Sequence, residues 1–301
     1  MKLLVGGSSG LVGSALCRAL KRRGDDVVVL RRDAADNDRT MSWDAQTFEL
    51  NEAARLSDID GVIHLGGESI LGRWTTSKKA RIRASRVDST CQLARQMAEA
   101  VTPPPFFLTA SAIGYYGPRG DEELTEDSRA GAGFLADVCQ AWEQAATPVQ
   151  AVGTRVVHLR FGMLLAAHGG ALKTMRTPFQ WGLGGKIGTG AQYMSWATLT
   201  DAVRAILFTL DTAELAGPVN VVAPNPCTNL DFTKALGRVL HRPTFATVPA
   251  PLARLAMGEM AEALLLSSQR VIPHRLQQAG FTFDHAQLEP ALADMLQSAS
   301  S

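Results

Sequence analysis

A chain of 301 residues, 46% hydrophobic and 20% charged, can bury the core of one large α/β domain with a smaller carboxy-terminal part. Its net charge of +1 gives no electrostatic case for nucleic acid or an anionic membrane, and no apolar run approaches spanning length. The four cysteines, Cys17, Cys91, Cys139 and Cys227, form no Cys-x-x-Cys pair and the six histidines no metal-ligand spacing, so a soluble cytoplasmic protein without a metal site is expected.

Lys2-Leu-Leu-Val-Gly predicts a first strand, running through Gly7, Gly10 and Gly13 into a helix from Gly10 to about Arg23. Glycines at that spacing, between a strand and a helix, are the context of a dinucleotide-binding turn. They allow a tight turn and close approach of backbone to a pyrophosphate, and the helix amino terminus offers free N–H groups. The second strand, Val27–Leu30, ends in Arg31-Arg32-Asp33. Guanidinium groups there suit the 2′-phosphate of NADP, whereas Asp33 turned inward would suit the ribose of NAD; the arginines favour NADP(H). Thr40–Trp43 reads as a third strand and Gly61–Leu65 as a buried fourth, ending at Gly66-Gly67-Glu68. A single long helix is expected from Ser77 to Ala100, then a fifth strand over Pro105–Thr109 with Ser111 just beyond it. A glycine-rich loop through Gly133, a helix to about Ala146 and a sixth strand over Thr154–Arg160 complete a doubly wound parallel sheet. Five glycines between Gly182 and Gly190 predict a loop, either a substrate cover with Lys186 near an anion site or a plain connector. The remainder reads as short helices, broken at Pro249 and Pro251. The expected organisation is a dinucleotide-binding domain over 1–160, a substrate-side region over 161–250 and a helical cap over 251–301.

Later blocks are more specific than the glycine turn: His64-Leu-Gly-Gly-Glu68, Gly72-Arg-Trp74, Ala84-Ser-Arg86, Ser111-Ala-Ile-Gly-Tyr-Tyr-Gly117, Trp142-Glu143, the Gly182–Gly190 run and Arg270-Val-Ile-Pro273. With the starting turn they resemble the epimerase-like (YfcH-type) family of atypical, extended-type short-chain dehydrogenases/reductases over nearly the whole chain. The resemblance implies a Rossmann fold, NADP(H) and a carboxy-terminal domain of unknown function. Carried over by residue, it places Gly7, Gly10, Leu11, Val12 and Gly13 at the pyrophosphate and Arg31 and Arg32 at the adenosine phosphate. It sets Leu65 and Gly66 under the adenine-ribose half, and adds Arg86 and Met163 to the contacts.

Catalysis departs from the superfamily pattern. Ser111 fits the serine that meets the substrate carbinol, but no tyrosine is followed four residues later by lysine, and the helix that should carry that pair has Phe134 or Leu135 where the tyrosine belongs. Ser111 and Tyr116 are the expected catalytic residues, with Glu68 as an alternative carboxylate acid or base and ring packing or turn capping as the competing roles. The resulting expectation is an NADP(H)-dependent, epimerase-like oxidoreductase acting on a carbinol or carbonyl of a small polar, nucleotide-sugar-like molecule. The alternative is an NADP(H)-binding sensor of reduced catalytic power.

Overall fold

The computed structural model describes residues 1–32 and 35–297. Seven strands form the main sheet: β1 (Lys2–Gly6), β2 (Asp26–Arg32), β3 (Thr40–Trp43), β4 (Gly61–His64), β5 (Phe106–Ala112), β6 (Arg155–Phe161) and β7 (Gly217–Val221). All neighbours are parallel, in the order β7-β6-β5-β4-β1-β2-β3. Alternate residues of the central strands feed two cores, as a sheet covered on both faces requires. Leu3, Val5, Ile63 and Leu108 pack on one face with helix α1 (Leu11–Arg23). Leu4, Val62 and Phe107 pack on the other with helices that follow β4. The order reverses direction between β1 and β4, and at such a switch point the strand carboxyl ends open a crevice.

The single helix expected between Ser77 and Ala100 is instead two, α2 (Thr76–Ala84) and α3 (Val87–Ala98). At the break two side chains are tied to Glu68: Ser85 Oγ accepts from the Glu68 N–H at 2.9 Å, and Arg86 Nη1 donates to the Glu68 carbonyl at 2.9 Å. The fifth strand also runs further than expected. Ser111 pairs with Arg160 and Ala112 with Phe161, so Ser111 lies within β5 because β6 remains beside it as a partner.

Helix α4 (Phe134–Gln144) precedes β6, and α5 (Gly170–Gln180) follows it. Within the expected Gly182–Gly190 loop, Gly185–Ile187 is a strand paired in parallel with Ala246–Val248. A Cβ on Gly185 would stand 2.0 Å from the Ala246 carbonyl oxygen, so glycine is what admits this pairing. Helices α6 (Leu199–Asp211), α7 (Asn229–Leu240), α8 (Ala250–Met257) and α9 (Leu288–Gln297) complete the larger helices of the carboxy-terminal half. That half is not separate from the sheet, since it supplies β7, and Arg270–Val271 pairs with Glu123–Leu124.

Candidate cofactor and substrate site

Gly7 takes a φ of +77° and accepts the Gly10 N–H at 3.0 Å, turning the chain from β1 into α1. A Cβ on Gly13 would lie 2.1 Å from the Gly7 carbonyl oxygen, and one on Gly7 would lie 2.6 Å from the Gly66 backbone nitrogen. The turn, the helix and the end of β4 thus meet backbone to backbone. Gly10 caps α1 without a side-chain bond and the first turn holds no acid, so the N–H groups of Leu11, Val12 and Gly13, which have no intrahelical acceptor, form a cradle suited to an anion. Leu65 donates its N–H to the Gly6 carbonyl at 2.9 Å, which places Leu65 and Gly66 beside the turn.

Arg31 and Arg32 end β2 exposed, with no ion pair to any described residue. Asp33, the acid offered for a ribose contact, lies outside the described residues. Met163 begins a short strand against Trp196, its N–H on the Ser195 carbonyl at 2.9 Å and its side chain half-buried.

Arg86 is fixed at the junction of α2 and α3. Its guanidinium lies over the Trp142 ring at 5.2 Å and against Gly67, where a Cβ would come within 3.1 Å of Cζ. Burial lowers its pKa from the ordinary value, with the nearby Cys139 and Glu68 opposing. Glu68 itself is bound by Lys78 Nζ at 2.7 Å, and that hydrogen bond holds its carboxyl below the usual range.

Beyond β5 the polar groups form one connected network. Ser111 Oγ donates to Glu143 Oε1 at 2.7 Å; Arg160 donates to the same oxygen through Nε and to Oε2 through Nη2, both at 2.8 Å. Arg160 Nη1 also donates to Tyr116 Oη at 2.9 Å, and Tyr116 donates to Asn220 Oδ1 at 2.7 Å. Tyr116 is wholly buried, and burial pushes its phenol up to about 12 despite Arg160 beside it. Burial opposes the charge of Arg160, but the Glu143 hydrogen bonds outweigh it and the pKa is raised. Tyr115, half-buried, stacks on the Arg160 guanidinium at 3.5 Å.

On α4, Leu135 and Cys139 face the loop after β5, where a Cβ on Gly114 would lie 3.3 Å from Leu135 Cβ and 3.8 Å from Cys139 Sγ. Burial pushes the Cys139 thiol up to about 12, so it is an inert core group. Glu143 and Arg160 were not among the expected site residues; the available signals were the Trp142-Glu143 block and an arginine at the carboxyl end of the sixth strand. Among the described residues no cluster of His, Cys, Asp or Glu could hold a metal ion.

Parallel strands, a turn closed by glycines at positions 7, 10 and 13, and a helix terminus without a counter-charge define a dinucleotide-binding protein of Rossmann type. Residues 3–222 match the NAD dependent epimerase/dehydratase family, and residues 248–295 match a domain of unknown function. The chain belongs to that family. It is 44% identical over 292 residues to an epimerase family protein of Mycobacterium leprae, covering 96% of this chain and 94% of the relative. The crystal structure of human epimerase family protein SDR39U1 with NADPH is similar at a TM-score of 0.90 and 31% identity, covering 99% of each chain. That of a nucleoside-diphosphate sugar epimerase from Corynebacterium glutamicum is similar at 0.81 and 34%, over 98% of this chain and 58% of that one.

Proposed function

We propose that the chain binds NADP(H) and acts as an oxidoreductase on a carbonyl or carbinol of a small molecule. The observation that carries the reading is the pair of exposed arginines, Arg31 and Arg32, without an ion pair among the described residues, at the strand end beside a glycine turn fit for a pyrophosphate. Gly7, Gly10, Leu11, Val12 and Gly13 would hold the pyrophosphate, Arg31 and Arg32 the 2′-phosphate, Leu65 and Gly66 the adenine-ribose half, with Arg86 and Met163 lining the remainder. NADP(H), when bound, supplies or accepts a hydride.

Ser111 is the group assigned to the substrate oxygen. Its proton is committed to Glu143, which leaves its oxygen able to accept from a substrate hydroxyl. Tyr116 is read as a positioning residue, because its hydroxyl is satisfied on both sides and sealed from solvent. Four free cysteines and the lack of a helix long and apolar enough to cross a membrane, among the described residues, support a reducing, cytoplasmic setting.

Titration of the full chain with NADPH and NADH tests the cofactor assignment: tighter NADPH is expected, and equal affinities overturn it. One observation favours a second reading, an NADP(H) sensor with little turnover: the α4 face that would present a tyrosine-lysine pair is filled by Leu135 and Cys139. Oxidation of bound NADPH under a panel of carbonyl compounds separates the two.

A further inference from the structure

Two segments far apart in sequence meet on the outside of the carboxy-terminal half. Gly185–Ile187 runs beside Ala246–Val248 in a two-stranded parallel sheet, and Gly188 donates its N–H to the Val248 carbonyl at 2.9 Å. Arg242 Nε donates to the Gln180 carbonyl at 3.1 Å, so the segments also meet before the sheet begins. Gly184 is buried where a Cβ would stand 2.4 Å from the Phe179 ring, while its neighbour Leu183 stays outside.

Large apolar side chains stand in water along both segments. Phe245 is 93% exposed, Leu255 of α8 84%, Trp181 78%, Leu183 70% and Leu252 55%. The intervening strand, Ala246–Val248, is exposed at every residue. Side chains of these sizes, so exposed, offer on the order of 700 Å² of apolar surface. The largest apolar patch of an ordinary monomer is about 300–600 Å², and one side of a stable interface is about 800 Å².

Charge and backbone narrow the choice of partner. Over 181–187 and 245–257 the charged residues are Lys186 and Arg254; Lys186 Nζ donates to the Thr189 carbonyl and Arg254 to Glu262 at 2.7 Å. Lys234 and Arg242 lie exposed beside the patch, as a polar rim would. An apolar centre depleted of charge inside such a rim is the composition of a homodimer interface. Ala246–Val248 also pairs on one edge only, with no strand on the other among the described residues, and an open edge accepts a strand from another chain. A twofold axis sets the same side chains and the same edge against themselves, so a single surface satisfies both copies.

We propose that this face joins two copies of the chain in an isologous dimer, with Trp181, Phe245 and Leu255 in the contact. The dimer is independent of the cofactor assignment.

Sedimentation velocity of the full chain at about 50 μM tests it, since interfaces of this size dissociate at micromolar concentrations or below. A dimer is expected. Phe245→Asp and Leu255→Asp should each weaken dimerisation about tenfold or more, because each sets a carboxylate against an apolar partner surface. Both side chains are exposed within one chain, so both variants should fold, which circular dichroism checks. Val101→Asp, at an exposed apolar position beyond α3, should leave the dimer intact. A monomeric parent, a dimer unmoved in both folded variants, or an equal loss in Val101→Asp overturns the proposal. A monomeric parent that floats with phosphatidylglycerol vesicles overturns it likewise and gives the face to a bilayer.

Discussion

Arg160 grips both carboxylate oxygens of Glu143 in a two-point ion pair with side-chain exposures of only 3% and 12%. Ser111 is bonded to one of those oxygens, so the pair sets where the serine hydroxyl points. Because the guanidinium is buried, removing its partner strands a charge rather than merely deleting a contact. Glu143→Ala is expected to destabilise the chain by about 3–5 kcal/mol in urea unfolding. A loss below about 1 kcal/mol, typical of exposed pairs, would show that water screens it.

Arg32→Ala addresses the adenosine end. Removal of a charge-assisted contact to the 2′-phosphate should weaken NADPH by about 1.5–3 kcal/mol, roughly ten- to hundredfold, with NADH unaffected. Fluorescence titration of both cofactors reads the difference directly; parallel losses for the two would place Arg32 away from the phosphate.

Tyr116→Phe separates chemistry from architecture. The change leaves Asn220 Oδ1 and Arg160 Nη1 short of a buried partner, and about 1–3 kcal/mol of stability should be lost while NADPH affinity holds. Ser111→Ala should instead lower turnover with cofactor affinity intact. If Tyr116→Phe abolishes turnover at unchanged stability, the phenol belongs to the chemistry after all.

His64 predicts an acid-sensitive fold. Its ring is fully buried, with Nε2 3.3 Å from Ser89 Oγ and Nδ1 without a hydrogen-bond partner among the described residues, and burial lowers its pKa from 6.5 to about 4. Between those values the unfolded chain binds the extra proton, so stability is full above pH 6.5 and falls as pH drops toward 4. At about 1.4 kcal/mol per unit the loss is roughly 3 kcal/mol. Urea midpoints across this window should depend less steeply on pH for His64→Gln than for the parent. Some slope will remain, because His158 is lowered by burial in the same way. Identical slopes would remove His64 from the account.

The strands and the glycine turn were legible because their signals are local: apolar runs, turn glycines and a helix start within a few residues of one another. The break at Arg86 was not, because Ser85 and Arg86 there bond to Glu68, 17 and 18 residues earlier, which helix periodicity does not encode. Ser111 and Tyr116 were visible as residues, but their surroundings were not. Ser111 is bonded 32 residues along the chain, and Tyr116 104 residues along, so the environment that seals the phenol exists only after the sheet assembles. The tie from Gly72 to Met260 is hidden for the same reason, since it crosses 188 residues.

The pairing of Arg270–Val271 with Glu123–Leu124 also dictates an order of events during synthesis. Asn220 needs the Ile272 carbonyl for its carboxamide, and Glu126 receives the Arg275 N–H. These partners leave the ribosome after every strand of the main sheet has been made. Until then a nascent chain carries an open strand edge at Glu123–Leu124 and a half-satisfied polar cluster beside Tyr116. A translation product that stops before residue 270 lacks these partners and leaves unpaired the strand edge that the complete chain covers.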